Sequence, residues 1–142
     1  MNISYIVWNK EYSVDVPEID LQHKELMNLV NNTIRQCSGN IINEKKYFNK
    51  LINESLKYLQ KHFSTEEQIF EKTGYDKKDE HKNEHKMLLD SINRITDEME
   101  DGNKEFDLLK ITLNLKEWLL THILAYDITA KKYFREGMVL NI

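Results

Sequence analysis

The chain has 142 residues, 31% of them charged, a formal net charge of −4 and a single cysteine, Cys37. This is one domain, long enough to bury a core, with no intrachain disulfide and no basic footprint for nucleic acid. No apolar run approaches the roughly 20 residues of a membrane helix. The N-terminal MNISYIVWNKEYSVD lacks the charged and apolar regions of a signal peptide. A cytoplasmic protein with no membrane partner is expected.

Residues 1–17 carry Tyr5, Trp8 and Tyr12 without a clear period and read as an arm packed on the body of the domain. Pro17 lies just before the first helical pattern, and Gly39, Gly74 and Gly102 divide the rest of the chain into helical segments. Gly137 is expected to close the last helix, because glycine tolerates the left-handed conformation that ends helices. The predicted helices span about 18–38, 43–72, 76–100 and 105–135, with Asn43 and Asp76 as candidate N-caps. Inward stripes recur at three- and four-residue steps. They run through Ile19, His23, Leu26, Val30 and Ile34 (or Thr33), then Phe48, Ile52, Leu59, His62, Glu66 and Ile69. They continue through His81, His85, Leu88, Ile92, Ile95 and Met99, and through Leu108, Ile111, Leu115, Trp118 or Leu119, and His122. Four helices with short connections, and no strand pattern of useful length, predict an all-α, up-down-up-down four-helix bundle with an N-terminal arm. The whole of 1–142 forms one domain.

All five histidines fall on those stripes. His62 and Glu66 form H-x-x-x-E, His81 and His85 form H-x-x-x-H, His122 and Asp127 form H-x-x-x-x-D, and His23 stands alone in the first helix. One buried polar group is tolerable with a hydrogen bond, but seven together need something that pairs them all, and a metal does so. Residues four apart share a helix face, so the two four-residue pairs can each aim at one centre. His122 and Asp127 are about 140° apart on an ideal helix and require either a long two-metal site or a local helix bulge. In an alternating bundle the four motifs fall near one end. Five imidazoles and two bridging carboxylates, with one oxo or hydroxo bridge, fill about eleven of the twelve positions of two octahedral metals, leaving one open for a ligand such as dioxygen. The residue after His81 is Lys82, so this is not the H-E-x-x-H of zinc proteases. No histidine has a glutamate three residues before it, which excludes the carboxylate-rich ferritin-like pattern.

These stretches resemble the hemerythrin family in its bacterial single-domain form: IDLQHKEL around His23, KHFSTEEQIF around His62, EHKNEHKMLL around His81 and His85, and EWLLTHILAYD around His122. The N-terminal VWNKEYSVDVPEID is also similar, so the resemblance covers almost the whole chain. It implies two iron ions (Fe2+/Fe3+) with an oxo or hydroxo bridge. His81, His85 and His122 would hold one iron, His23 and His62 the other, and Glu66 and Asp127 would bridge them. Dioxygen would bind where the two-histidine iron is incompletely coordinated.

The pocket positions of the family fall on Leu26, Phe63, Trp118, Leu119 and Ile123, all apolar and bulky. A dry pocket favours carriage over turnover. The implied function is reversible dioxygen binding for storage or transport, by a monomer that is not an enzyme and has no protein partner. The alternatives are a di-iron oxidase, peroxidase or nitric-oxide scavenger, and an oxygen or iron sensing module. Tyr126 stands where many relatives have a smaller residue, and a phenol near the irons could donate a proton. Glu67, beside Glu66, is expected to point away to the surface.

Overall fold

The structure is a computed structural model that describes residues 5–100 and 106–140. Its helices are α1 (Pro17–Arg35), α2 (Ile41–Thr73), α3 (Lys78–Glu100), α4 (Leu108–His122) and α5 (Lys131–Leu140), with a short 3-10 turn at Lys10–Tyr12 and a π-helical turn at Ile123–Asp127. There is no strand among the described residues. The all-α bundle expected from the stripes is present. The longest helix, α2, packs against α1, α3, α4 and α5. Gly102 and residues 1–4 of the predicted arm lie outside the described residues.

Local chemistry sets the helix ends. Pro17 occupies the first turn of α1, where its missing N–H costs nothing. The Asp20 carboxylate reaches back to accept from the backbone N–H of Val14 (2.9 Å) and the hydroxyl of Ser13 (2.6 Å). The arm is tied again where Asn31 of α1 pairs with the backbone of Ile6, accepting from its N–H at 2.8 Å and donating to its carbonyl at 2.9 Å. Asn40, and not the expected Asn43, caps α2: its side chain accepts from the N–H of Asn43. The chain favours Asn40 because it precedes the turn in extended conformation, whereas Asn43 is already helical. Gly74 ends α2 in the left-handed region (φ 67°), donating its N–H to the Phe70 carbonyl.

The fourth helix differs most from expectation. Rather than running unbroken to 135, α4 ends at His122 and passes through the wide turn 123–127, where the N–H of Ile128 bonds the carbonyl of Ile123. That turn carries one more residue than an α turn, and the chain resumes helix only at Lys131. Gly137 does not close this segment. It lies inside α5, buried, where a Cβ would overlap the Ile69 side chain. Its role is close approach between α5 and α2.

Two apolar clusters result. The larger, in the body of the bundle, includes Leu26, Val30, Ile34, Leu51, Leu59, Leu88, Ile92, Leu119 and Ile123. The smaller lies at one end and joins Val14, Val16, Ile19, Ile69, Phe70, Tyr75, Ala130 and Phe134. Between members of the two clusters in the sequence come His23 (Ile19 to Leu26), His62 and Glu66 (Leu59 to Ile69) and Asp127 (Ile123 to Ala130). A polar layer therefore separates two dry ones. The tight α5–α2 contact predicts that Gly137→Ala destabilises the protein by about 1–3 kcal/mol through overpacking. Denaturant unfolding would measure it, and the cost of Gly137→Ala should be smaller in an Ile69→Ala background, which lacks the overlapping Cγ atoms.

Candidate metal centre

Each helix supplies the polar layer by its own spacing. His23 comes from α1, His62 and Glu66 from successive turns of α2, His81 and His85 from successive turns of α3, His122 from the end of α4, and Asp127 from the wide turn. That turn answers the five-residue spacing of His122 and Asp127: a local bulge carries the carboxylate back toward the histidine, so that His122 Nε2 lies 3.2 Å from Asp127 Oδ1. All seven side chains are at most 3% exposed. The structure brings all seven together.

Their donor atoms form two groups sharing Glu66. One contains Glu66, His81, His85 and His122; the other contains His23, His62, Glu66 and Asp127. Within each group the atoms lie within 4.8 Å of one another. Each carboxylate also reaches histidines of both groups. Asp127 places Oδ2 3.0 Å from His23 Nε2 and Oδ1 3.0 Å from His81 Nε2. Glu66 places Oε1 3.1 Å from His62 Nε2 and 3.5 Å from His85 Nε2, with Oε2 3.6 Å from His81 Nε2.

Close approach is not pairing. Nine buried side-chain atoms of these residues lack an aligned hydrogen-bond partner, among them all four carboxylate oxygens and the Nε2 atoms of His81, His85 and His122. His23 Nε2 and His62 Nε2 face each other at 3.0 Å, and two neutral rings can share only one proton there. So many unpaired buried acceptors are not stable as a hydrogen-bonded network. Metal ions satisfy them by taking the lone pairs, and an imidazole-rich donor set with two carboxylates fits iron.

Charge points the same way. Burial opposes ionisation of Glu66, yet the surrounding histidines, His62 first, hold its carboxyl well below the usual range. Burial and the neighbouring charge of Glu66 both push the Asp127 carboxyl up, but His122 and His23 outweigh them and hold it low. Burial disfavours the protonated His81 ring, but its contacts to Asp127 and Glu66 win and raise it to about 9. His62 is likewise raised, burial being outweighed by Glu66. Two ionised carboxylates in a dry interior need positive charge beside them, from protons or from cations.

Outside the donor atoms, the rings are held in three ways. His62 Nδ1 meets Gln22 Oε1 at 2.6 Å. His122 is stacked between Trp118 (centroids 4.7 Å, interplanar 10°) and Tyr126 (5.5 Å, 17°). His85 lies flat on Phe63 (3.7 Å, 7°), with Glu67 Oε2 3.4 Å from its Nδ1. The expectation for Glu67 is corrected here: its carboxylate is a third exposed but turns toward the site, because α2 and α3 are close enough for it to reach His85. Sequence reasoning also misses Gln22. Its only signal is adjacency to His23, and no spacing rule says that the residue beside a ligand will meet a ring on another helix. The Tyr126 hydroxyl is hydrogen-bonded to Glu84, with its pKa raised by that contact, so the phenol serves the centre with its ring face and not its proton.

The five expected pocket residues all lie in or against the larger apolar cluster. Leu26, Trp118 and Leu119 border a small apolar cavity of about 30 Å³ together with Leu51, Leu59, Leu88 and Ile92. Phe63 instead covers His85, and Ile123 is fully buried at the start of the wide turn.

Comparison with known proteins agrees with this geometry. Residues 14–127 match the Hemerythrin HHE cation binding domain. The chain belongs to the hemerythrin family. It is similar to the bacteriohemerythrin of Pseudomonas aeruginosa, 26% identical over 121 residues covering 85% of this chain and 76% of the relative. The bacteriohemerythrin of Clostridium acetobutylicum is 24% identical over 124 residues, covering 85% and 95%. A crystal structure of wild-type hemerythrin superposes with a TM-score of 0.78 at 26% identity, covering 92% of this chain and 98% of that one. Family membership and donor set together support non-heme iron binding. No described helix is long and apolar enough to cross a membrane.

Protein stripped by a chelator should show the charge balance directly. The raised His81 contributes stability that is fully present below its ordinary value of 6.5 and lost as pH rises through about 9. The depressed Glu66 and Asp127 contribute stability present above their ordinary values of 4.5 and 3.8 and lost in acid. The urea midpoint of stripped protein is therefore expected to be highest near pH 5–6.5 and lower by the equivalent of about 1–3 kcal/mol at pH 9.5. Equal midpoints at pH 6 and 9.5 would contradict this balance.

Proposed function

We propose that the chain binds dioxygen reversibly at a two-iron centre, for storage or transport. The observation that carries the reading is the set of seven buried donor side chains, six of them with unpaired donor atoms, divided into two groups that share a carboxylate. In this reading His81, His85 and His122 would hold one iron, His23 and His62 would hold the other, and Glu66 and Asp127 would serve both. The division follows the two donor groups, and Asp127 is suited to serve both because its two oxygens face histidines of each. The iron pair would supply the electrons for oxygen binding.

The remaining chemistry belongs to the chain. Reversibility requires that water and free protons stay out. Ile123 and Leu119 are buried, and the cavity beside Leu26, Trp118 and Leu119 is lined almost wholly by apolar side chains. A cavity of that size and polarity holds no well-bonded water. Phe63 shields the face of His85, and Trp118 and Tyr126 shield both faces of His122. Tyr126 keeps its proton engaged with Glu84. These features support carriage over turnover, because none of them offers a proton or a substrate-binding group to the centre.

A visible spectrum of the reduced protein, taken before oxygen, after oxygen and after purging, tests the reading when iron is counted on the same sample. A charge-transfer band that appears with oxygen and disappears on purging, at two irons per chain, is the expected result. Immediate and permanent conversion to an oxidised spectrum would instead make the protein an oxidase or scavenger. Opening the dry wall with Leu119→Ala should cost about 2–5 kcal/mol of stability and shorten the lifetime of the oxygenated form several-fold. An unchanged lifetime would mean that the dry wall does not protect the centre.

A further inference from the structure

Helix α2 projects two adjacent pairs at four-residue spacing toward α3. His62 and Glu66 enter the donor groups, while Phe63 and Glu67, one position on, flank them. The flanking pair grips one ring: Phe63 lies parallel to His85 at 3.7 Å, and Glu67 Oε2 meets its Nδ1 at 3.4 Å. The other nitrogen of that ring, Nε2, is buried without a hydrogen-bond partner and lies 3.5 Å from the Glu66 carboxylate. A proton on Nδ1 held by Glu67 leaves the Nε2 lone pair directed inward.

The outer supports of the two halves differ in charge. On the two-histidine side, the partner of His62 is the neutral Gln22. On the three-histidine side, the partner of His85 is a carboxylate, whereas His122 is held by ring stacking and its Nδ1 has no partner. A carboxylate behind a ligating histidine fixes the ring and makes it a stronger donor, and hydrogen bonds to the ligands are a lever on redox potential. Glu67 borders a groove of about 1010 Å³ between α2 and α3, also lined by Lys82 and Lys86. Water and lysine charge there moderate the carboxylate, so its influence is tuning and not ligation.

We propose that Glu67 is a positioning residue that sets the orientation of His85 and makes the three-histidine half of the centre the more electron-rich. The inference rests on the two-iron reading above. Two variants separate its parts. Glu67→Gln keeps an acceptor oxygen but removes the charge, so it should retain parental iron affinity in chelator competition. Its midpoint potential in a redox titration should rise by about 59 mV, which is a tenfold shift of a one-electron equilibrium. Glu67→Ala removes the acceptor too and should weaken iron binding about 10–100-fold. Helix content and denaturant midpoints check that both variants fold. Parental potential in Glu67→Gln, or parental iron affinity in Glu67→Ala, overturns the proposal. A parent protein that takes up no iron overturns the two-iron reading and this inference with it, and is recognised before either variant is made.

Discussion

Seven buried polar side chains cannot satisfy one another, and that mismatch governs the rest of the domain. Five rings and two carboxylates contribute far more acceptors than aligned donors. Left in a dry interior, such a set costs more than any one helix contact returns. Cations that collect the lone pairs change the sign of this contribution, so folding and metal uptake are one linked equilibrium in this chain. The two apolar clusters on either side serve that equilibrium by keeping competing water away.

Much of this is legible in the sequence, for a physical reason. A helix repeats its faces every three to four residues, so His62 with Glu66, and His81 with His85, announce both their helix and its inward face. Apolar steps such as Val30–Ile34 or Leu88–Ile92 mark the same face, which is why residue spacing alone predicts the bundle. The five-residue interval from His122 to Asp127 breaks that rule, and the break itself asks for either a long two-metal site or a bulge, of which the structure shows the bulge. Its location and width, and the separate α5 after it, depend on how the end cluster packs, which no local spacing encodes.

Less legible is everything decided between helices. Glu67 reads as a surface acid because nothing within α2 reports how near α3 will lie; the contact to His85 exists only in the assembled bundle. Gln22 is hidden for the same reason, as its partner stands 40 residues away. Gly137 looks like a stop signal, but the side chain of Ile69 across the interface gives it a packing role. Among the oxygen-pocket positions carried over from the family, Leu26, Trp118 and Leu119 border a small cavity and Phe63 lies on His85, contacts that also form only between helices.

The wide turn at Ile123–Asp127 has a mechanical side. It is clamped at both ends, by Ile123 in the body cluster and by Ala130 and Phe134 in the end cluster. Residues after Asp127 supply no donor atom to either group, yet they hold one end of the segment that carries the Asp127 carboxylate. The register of the chain is thereby locked one residue out of step with an ordinary α-helix. Straightening the turn into ordinary α-helix without removing a residue would swing the aspartate to about 140° from His122, whereas the extra residue of the wide turn keeps the two on one face. The C-terminal helix thus acts as a torsional anchor, and the geometry at the centre is inherited from packing several turns distant.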